Sequence, residues 1–466
     1  MHKASNYRAI LRALSAFAAI ACMSSWSAPA EAGAVVPYRV LHEFCKGTCI
    51  DGSFPAGEHL VLDVSGKLYG TTFNGGRHNA GVIYDVFPKH GGARYFKKVL
   101  KPFCYGACNV GQTQAGVIMD TSGNLYGTTA SSGSSCGVAY EAVLSGGKYT
   151  LKVLHIFGSS GDGCSPTPSA LAYNGKESGQ LYDGTSPLFG VTLEGGANGR
   201  GAVFELIPPA PGRKSWQEKV IYSHCEITGC ADGHDPLGNV IEDSAGNLYT
   251  ASQEAAGGQV FQLTPDGSGG FVKSPVYQSV THEIFAFLRM TSDGTLYGVT
   301  ESGGPHGHGT LFTLTPDGGG GYGYSDLHDF CASGTCTDGD EPEAATMDSS
   351  GNIWGVTLAG GANPAPQGSP FSGAGVIFEY TAGGSFAVVR NFCAEPNCTD
   401  GGAPTSELTT DGAGNFFGVT ALGGVPLTPG HAPATANSLW LRAKGSKTPL
   451  PPPAGGGGVL YEISVP

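Results

Sequence analysis

Five Asp-Gly steps recur along the chain, at Asp51-Gly52, Asp162-Gly163, Asp232-Gly233, Asp338-Gly339 and Asp400-Gly401, each followed shortly by proline. Carboxylates gathered on one face could hold Ca²⁺ or bind sugar hydroxyls. Their recurrence also suits an Asx-turn, in which Asp bonds its own backbone. Asp51, Asp162, Asp232, Asp338, Asp340 and Asp400 are the candidate ligand-binding residues on this reading. Asp338 and Asp340 with Glu341 make the most acidic copy and the first place to expect a cation.

A second set of acids, Asp85, Glu141, Glu205, Glu379 and Glu462, lies inside a recurring extended motif, where Gln262 and Thr313 take two further copies. Paired acids can hydrolyse glycosides. One acid per copy points instead to a repeated hydrogen bond, so no catalytic residue is assigned. His306 and His308 would need further ligands to hold a metal, and no metal ligand is assigned. His42, His155 and His328 share one motif position and read as packing residues. His282-Glu283 lacks the second histidine of a metalloprotease helix, and no nucleophile elbow, phosphate loop or dinucleotide fingerprint stands in a convincing context. Tyr69, Tyr126, Phe189, Tyr249, Tyr297, Trp354 and Phe417 could stack on a sugar, but between packed sheets the same residues are core.

The chain has 13 cysteines. Ten fall in close pairs: Cys45/Cys49, Cys104/Cys108, Cys225/Cys230, Cys331/Cys336 and Cys393/Cys398. Zinc wants four ligands in one tetrahedron, and these pairs stand apart with no matching histidines. Disulfides are expected. Cys136 and Cys164 remain, in loops that neighbouring units would bring together on one face. Cys22 lies in a leader: Lys3, Arg8 and Arg12 precede an apolar run at 13–26, then small residues at 27–34. This reads as a signal peptide over 1–32. Lipidation at Cys22 is the minor alternative, since Ala19 fits that signal poorly. An even cysteine count after export suggests an oxidising compartment, periplasmic or extracellular.

The elements that must position these residues repeat. LYGTT at 68 recurs at 125, 188, 248, 296, 353 and 416; GVIYDVF at 81 recurs at 137, 201, 258, 309, 375 and 458. A third motif, YRVLHEF at 38, recurs at 97, 151, 218, 273, 324 and 386. Each alternates with period two, as strands do. A weaker apolar run precedes each LYGTT-like segment, joined to it by turns such as DTSGN at 120–124. Calling these runs A, B, C and D in the order apolar run, LYGTT, VFELT and VLHEF, each unit is one four-stranded sheet. Such units repeated in tandem predict an all-β, seven-bladed β-propeller. The mature chain begins on a D strand and ends on a C strand, so Tyr38–Phe44 is expected to complete the last blade and close the ring. Residues 33–466 then form one domain. Its blades lie near 55–103, 110–157, 166–224, 236–280, 281–330, 342–392 and 404–466 with 38–44.

Composition agrees. Gly numbers 76 and Pro 30, while hydrophobic residues are 40% and aromatics 10%, too rich for a disordered chain. The net charge of −13, with scattered Lys and Arg, speaks against nucleic acid and anionic membranes. No later segment is apolar enough to span a membrane.

The unit FC..C-DG..P, L..D..GNLYGTT, GG....GVVFELTP resembles the bacterial GloVer tandem repeat (named for Gloeobacter and Verrucomicrobia). The resemblance implies an exported, propeller-like protein and no particular activity. Blade four departs from it with LYTAS. Blade three carries an insertion at 174–187, and blade seven a long Pro- and Gly-rich B–C loop at 422–457. The expectation for function is a monomeric binding or interaction module acting through one loop face. Its partner would be a glycan, peptide or surface polymer, with Ca²⁺ as an optional cofactor. The alternative is an extracellular carbohydrate-active enzyme with non-repeated acids at the central channel.

Overall fold

The computed structural model describes residues 36–465 except 90–93, 105–109, 114, 131–135, 159–160, 237, 255–256, 280–283, 367–368 and 426–455. The leader, Cys108 and most of the long blade-seven loop lie outside the described residues. Seven antiparallel sheets follow one another, each with strands in the order A-B-C-D. Blade one is typical, with Ser53–Leu62, Leu68–Asn74, Val82–Lys89 and Arg94–Pro102. Two single 3₁₀ turns, Lys176–Ser178 and Pro396–Cys398, complete the described elements. Among the described residues no helix is long and apolar enough to cross a membrane.

The ring closes as the offset termini require. Tyr38–Glu43 pairs antiparallel with Val459–Ser464, supplying strand D to a blade whose A, B and C strands come from the other end of the chain. Tyr38 stacks on Tyr461, and Phe44 donates its N–H to the Gly458 carbonyl at 2.9 Å.

The motif residues explain themselves in the sheets. The C-strand aromatics Tyr84, Tyr140, Phe204, Phe312, Phe378 and Tyr461 each lie directly opposite a B-strand glycine. All are fully buried. A glycine there lets the ring lie across the neighbouring strand. In blade four Thr250 stands opposite Phe261 instead. The A–B turns are Asx-turns: Asp63, Asp120, Asp243, Asp348 and Asp411 accept backbone N–H bonds from residues two and four ahead. The second oxygen of three of them takes the hydroxyl of Tyr69 or Tyr126, or the indole of Trp354, at 2.9–3.1 Å. The B-strand aromatics are thus core residues tied to a turn, as expected.

Neighbouring blades are locked by a repeated clasp. A Cβ on Gly137, Gly201, Gly309, Gly375 or Gly458 would fall 2.6–3.0 Å from the Cδ of Pro166, Pro236, Pro342, Pro404 or Pro55 on the next blade. All five glycines have φ between +85° and +105°, which other residues rarely adopt. The residue before each proline is also left-handed: Phe54, Ser165, Asp235, Glu341 and Ala403, at φ +45° to +59°. In four of these the strained N–H reaches back to the preceding blade, to the carbonyl of Gly457, Cys136, Arg200 or Ala374, at 2.7–3.0 Å. Such strain persists only where its surroundings over-determine it. Gly458–Pro55 joins blade seven to blade one, so the clasp also seals the ring.

A chain beginning at Cys45 should expose the edge of Val459–Ser464 and self-associate. Size-exclusion chromatography should show oligomers, and a peptide spanning residues 36–44 should return them to monomer. A monomeric truncated chain with unchanged melting temperature would refute closure by this strand.

Candidate functional site

The six candidate aspartates sit in the D–A loops, and five of them are enclosed by their own loop. Asp51 accepts the Cys45 N–H at 3.1 Å and pairs with His42 at 3.0 Å. Asp338 takes the Cys331 N–H and pairs with His328. Asp162 is bonded by His155 and by the N–H groups of Gly158 and Gly163. Asp232 takes the Tyr222 hydroxyl with the Glu226 and Ile227 N–H groups. Asp400 takes Arg390 with those of Ala394 and Glu395. His42, His155 and His328 therefore pack edge-on against Phe44, Phe157 and Phe330 and also hold the turn. Asp340 faces elsewhere, to His308 Nδ1 at 2.9 Å and the Ser372 hydroxyl at 3.1 Å. Asp338 and Asp340 thus look to different partners.

The cysteines close the same loops. Disulfides join Cys45–Cys49, Cys225–Cys230, Cys331–Cys336 and Cys393–Cys398, and Cys136–Cys164 bridges blade two to blade three. Cys104 is also disulfide-bonded. His308 and Asp340 lie beside Cys331 and Cys336, but those sulfurs are engaged with each other and offer no thiolate. His306 pairs with Asp329. The C-strand acids bond laterally within their sheets, as Glu141 does to Lys152 and Glu462 to Arg39.

A different set of charges converges on the axis. Glu58 of blade one is wholly buried. It accepts the Ala170 N–H of blade three at 2.8 Å and the Asn239 amide of blade four at 3.1 Å. The Lys176 ammonium lies 3.4 Å from both its oxygens. Arg289 of blade five stands 3.3 Å from Glu177 and 3.6 Å from Glu407 of blade seven, while His59 lies 3.8 Å from Glu407. Residues of five blades meet in this way only around the ring's axis.

Lys176 and Glu177 come from the blade-three insertion. Asn174 bonds the Asp243 carbonyl of blade four, and Tyr182 exchanges backbone bonds with Met119 and Thr121 of blade two. Lys176 and Glu177 reach blades one and five. The insertion therefore caps the axis at the A–B end.

Burial sets the charge states. His59 is pushed down to about 3 by burial and by Lys176, so its ring is neutral. Burial alone would raise Glu58, but Lys176, His59 and Arg289 outweigh it and hold the carboxyl below its ordinary value. Glu407 is pushed up to about 7 by burial and by Glu58, against the pull of Arg289. Two carboxyls whose surroundings push them in opposite directions have the pattern of an acid–base pair. Here, however, Glu58 is already committed to three donors. The buried side-chain atoms of this cluster without a hydrogen-bond partner are His59 Nδ1, Glu177 Oε1, Arg289 Nε and Glu407 Oε2.

The motif search missed all these residues, because it weighed what recurs. The signals were present: the insertion at 174–187, and Glu58-His59 where blade two has Ala115-Gly116.

Residues 256–428 match the Gloeobacter/Verrucomicrobia repeat. That stretch carries the repeat. No curated protein matches the sequence. A fungal alcohol oxidase of the AA5 family, in complex with copper, is similar with a TM-score of 0.51 at 14% identity, over 92% of this chain and 76% of that one. Catalytically inactive virginiamycin B lyase from Staphylococcus aureus with quinupristin gives 0.49 at 10% identity, over 92% and 100%. Puromycin hydrolase gives 0.48 at 14% identity, over 83% and 53%. At such identities the likeness is one of fold, so the repeat and the propeller coincide without fixing a chemistry.

Lys176→Met should destabilise the protein by about 3–5 kcal/mol, because it leaves the buried Glu58 carboxylate short of its cation. Urea denaturation measures this. Glu407 binds its proton more tightly folded than unfolded, so its stabilising share is complete at low pH and is lost as pH rises from the ordinary glutamate value towards 7. Glu407→Gln should remove that share of the decline in urea midpoint between pH 5 and pH 8. An unchanged profile would place the Glu407 titration elsewhere.

Proposed function

We propose that the protein is an exported binding module that presents the D–A and B–C loops of one propeller face to a glycan, peptide or surface polymer. The observation that carries this reading is the rigid rim. Disulfides, caged aspartates and the Gly–Pro clasp fix the D–A loops before any ligand arrives. Pre-fixed loops lose little entropy on binding, which favours affinity. The disulfides also support an oxidising, extracytoplasmic location. Ile50 and Ile227, 59% and 58% exposed, stand in two of the stapled loops and offer apolar contact on this face. The caged carboxylates favour direct contact over a Ca²⁺ bridge.

A second reading, an extracellular carbohydrate-active enzyme, has one observation in its favour: Glu58 and Glu407 are non-repeated acids that meet at the axis, and burial and neighbouring charges push them in opposite directions. It would require Glu58 to give up donors from blades three and four.

A screen of residues 33–466 against glycans and cell-wall polymers separates the two. Binding should weaken by about tenfold or more in Ile50→Asp/Ile227→Asp, the loss of two apolar anchors, and stay unchanged in Glu407→Gln. Turnover of any polymer, abolished by Glu407→Gln, would replace the binding reading with the enzymatic one. Retention on nothing would sink the proposed ligand class.

A further inference from the structure

Each caged aspartate is covered by one side chain from strand D of the following blade, always at the same register. Lys97 covers Asp51, its ammonium 3.8 Å from the carboxylate and 4.5 Å above the Phe44 ring. Lys273 covers Asp232, bonding the Tyr222 hydroxyl at 3.1 Å and lying over Phe261. Phe386 stacks at 3.5 Å on His328, the partner of Asp338. Tyr38 lies under Arg390, the partner of Asp400, and its hydroxyl bonds the Asp400 carbonyl. The register is set by the C strand: Lys97 faces Val86, Lys273 faces Leu263, Phe386 faces Tyr380 and Tyr38 faces Ile463. Where the D–A loop lacks an Asp-Gly step, in the loops entering blades two and five, the same place holds Leu151 and Tyr324.

At the junction of blades two and three this position, opposite Leu206, is Glu218. A second acid therefore faces Asp162 where other junctions place a cation or an aromatic ring. Asp162 is 7% exposed. Glu218 Oε1 is buried and has no hydrogen-bond partner. His155 Nε2 lies 2.9 Å from Asp162 Oδ2, and one ligand atom from each of His155, Asp162 and Glu218 lies within 4.8 Å of the others. The junction differs in its staple too. It has no short cysteine pair, and Cys136–Cys164 ties the two blades directly.

We propose that this junction binds a divalent transition-metal cation, of the zinc or manganese class, through His155 Nε2 and the carboxylates of Asp162 and Glu218. Imidazole with carboxylate oxygens suits such ions, and three protein ligands leave room for water as a fourth. Two carboxylates against one imidazole leave this half-buried site rich in acidic oxygens, which a divalent cation would neutralise. The ion would do for blades two and three what Lys97 and Lys273 do for their junctions.

The test is calorimetric titration of the chelator-stripped mature chain with Zn²⁺ and, separately, Mn²⁺, alongside thermal melts. The wild type should take a single equivalent of at least one ion and melt higher with it. Glu218→Lys installs the residue that blades one and four carry. It should bind the ion about tenfold or more weakly, yet melt no lower than the stripped wild type, because the new ammonium pairs with Asp162. His155→Phe should also lose the ion. Binding of neither ion, or binding undiminished in Glu218→Lys, would overturn the proposal.

Discussion

Five of the seven junctions in this ring, the closing one included, depend on the contact between the first glycine of one C strand and the proline that opens the next A strand. Seven twisted sheets around an axis must each find the same partner surface twice, once on either side. The Gly–Pro clasp meets that demand with a bare glycine backbone against a proline ring. It brings two blades within van der Waals distance, which a Cβ on the glycine would prevent. It also forces the residue before the proline into a left-handed conformation, whose N–H then reaches back to the preceding blade. Strain and hydrogen bond are two sides of one geometry. Because Gly458 and Pro55 make the same contact, the ring gains its closing interface from the repeat itself, with no special seal.

The fold was legible because the repeat states it seven times. LYG and VFE, read apart, are two strands; read together they are a glycine lying under a ring. The offset of the termini was legible for the same reason, since a missing strand in one copy shows against six complete ones. The Asp-Gly steps were harder. Type and spacing permitted both a ligand face and an Asx-turn, and the deciding partners lie at one position of the preceding strand where His42, His155 and His328 alternate with Tyr222 and Arg390. A turn held now by imidazole, now by phenol, now by guanidinium leaves no single motif to read.

The axial cluster was not legible for a deeper reason. Glu58, Asn239, Arg289 and Glu407 each occur once, on different blades, at slightly different places along the A strand. Nothing in one blade predicts the charge on another four strands away. What joins them is the insertion of blade three, whose Lys176 and Glu177 supply one partner of each sign. A buried carboxylate in Glu58's position is intolerable without that lysine, so insertion and acid belong together as one feature. An apolar axis would have been simpler to build. The charges impose a single seating for the cap, since a shifted Lys176 would leave Glu58 unpaired in the interior.

A tandem repeat carries its own control, because each copy reports what the fold requires at a position, and a copy that departs reports something else. At the strand-D position over the caged aspartate, the described junctions use lysine, phenylalanine and tyrosine, which differ in charge but agree in one respect: none adds negative charge beside Asp162's counterparts. Glu218 breaks that rule. The fold does not ask for it, since Lys97 and Lys273 perform the covering task in the same register, and its cost in isolation is the repulsion of two buried carboxylates. The departure falls where the staple also changes, from a cysteine pair within one loop to a bridge between blades. Two independent breaks in the repeat at one junction mark that junction, rather than the uniform rim around it, as the place where this copy has taken on chemistry of its own.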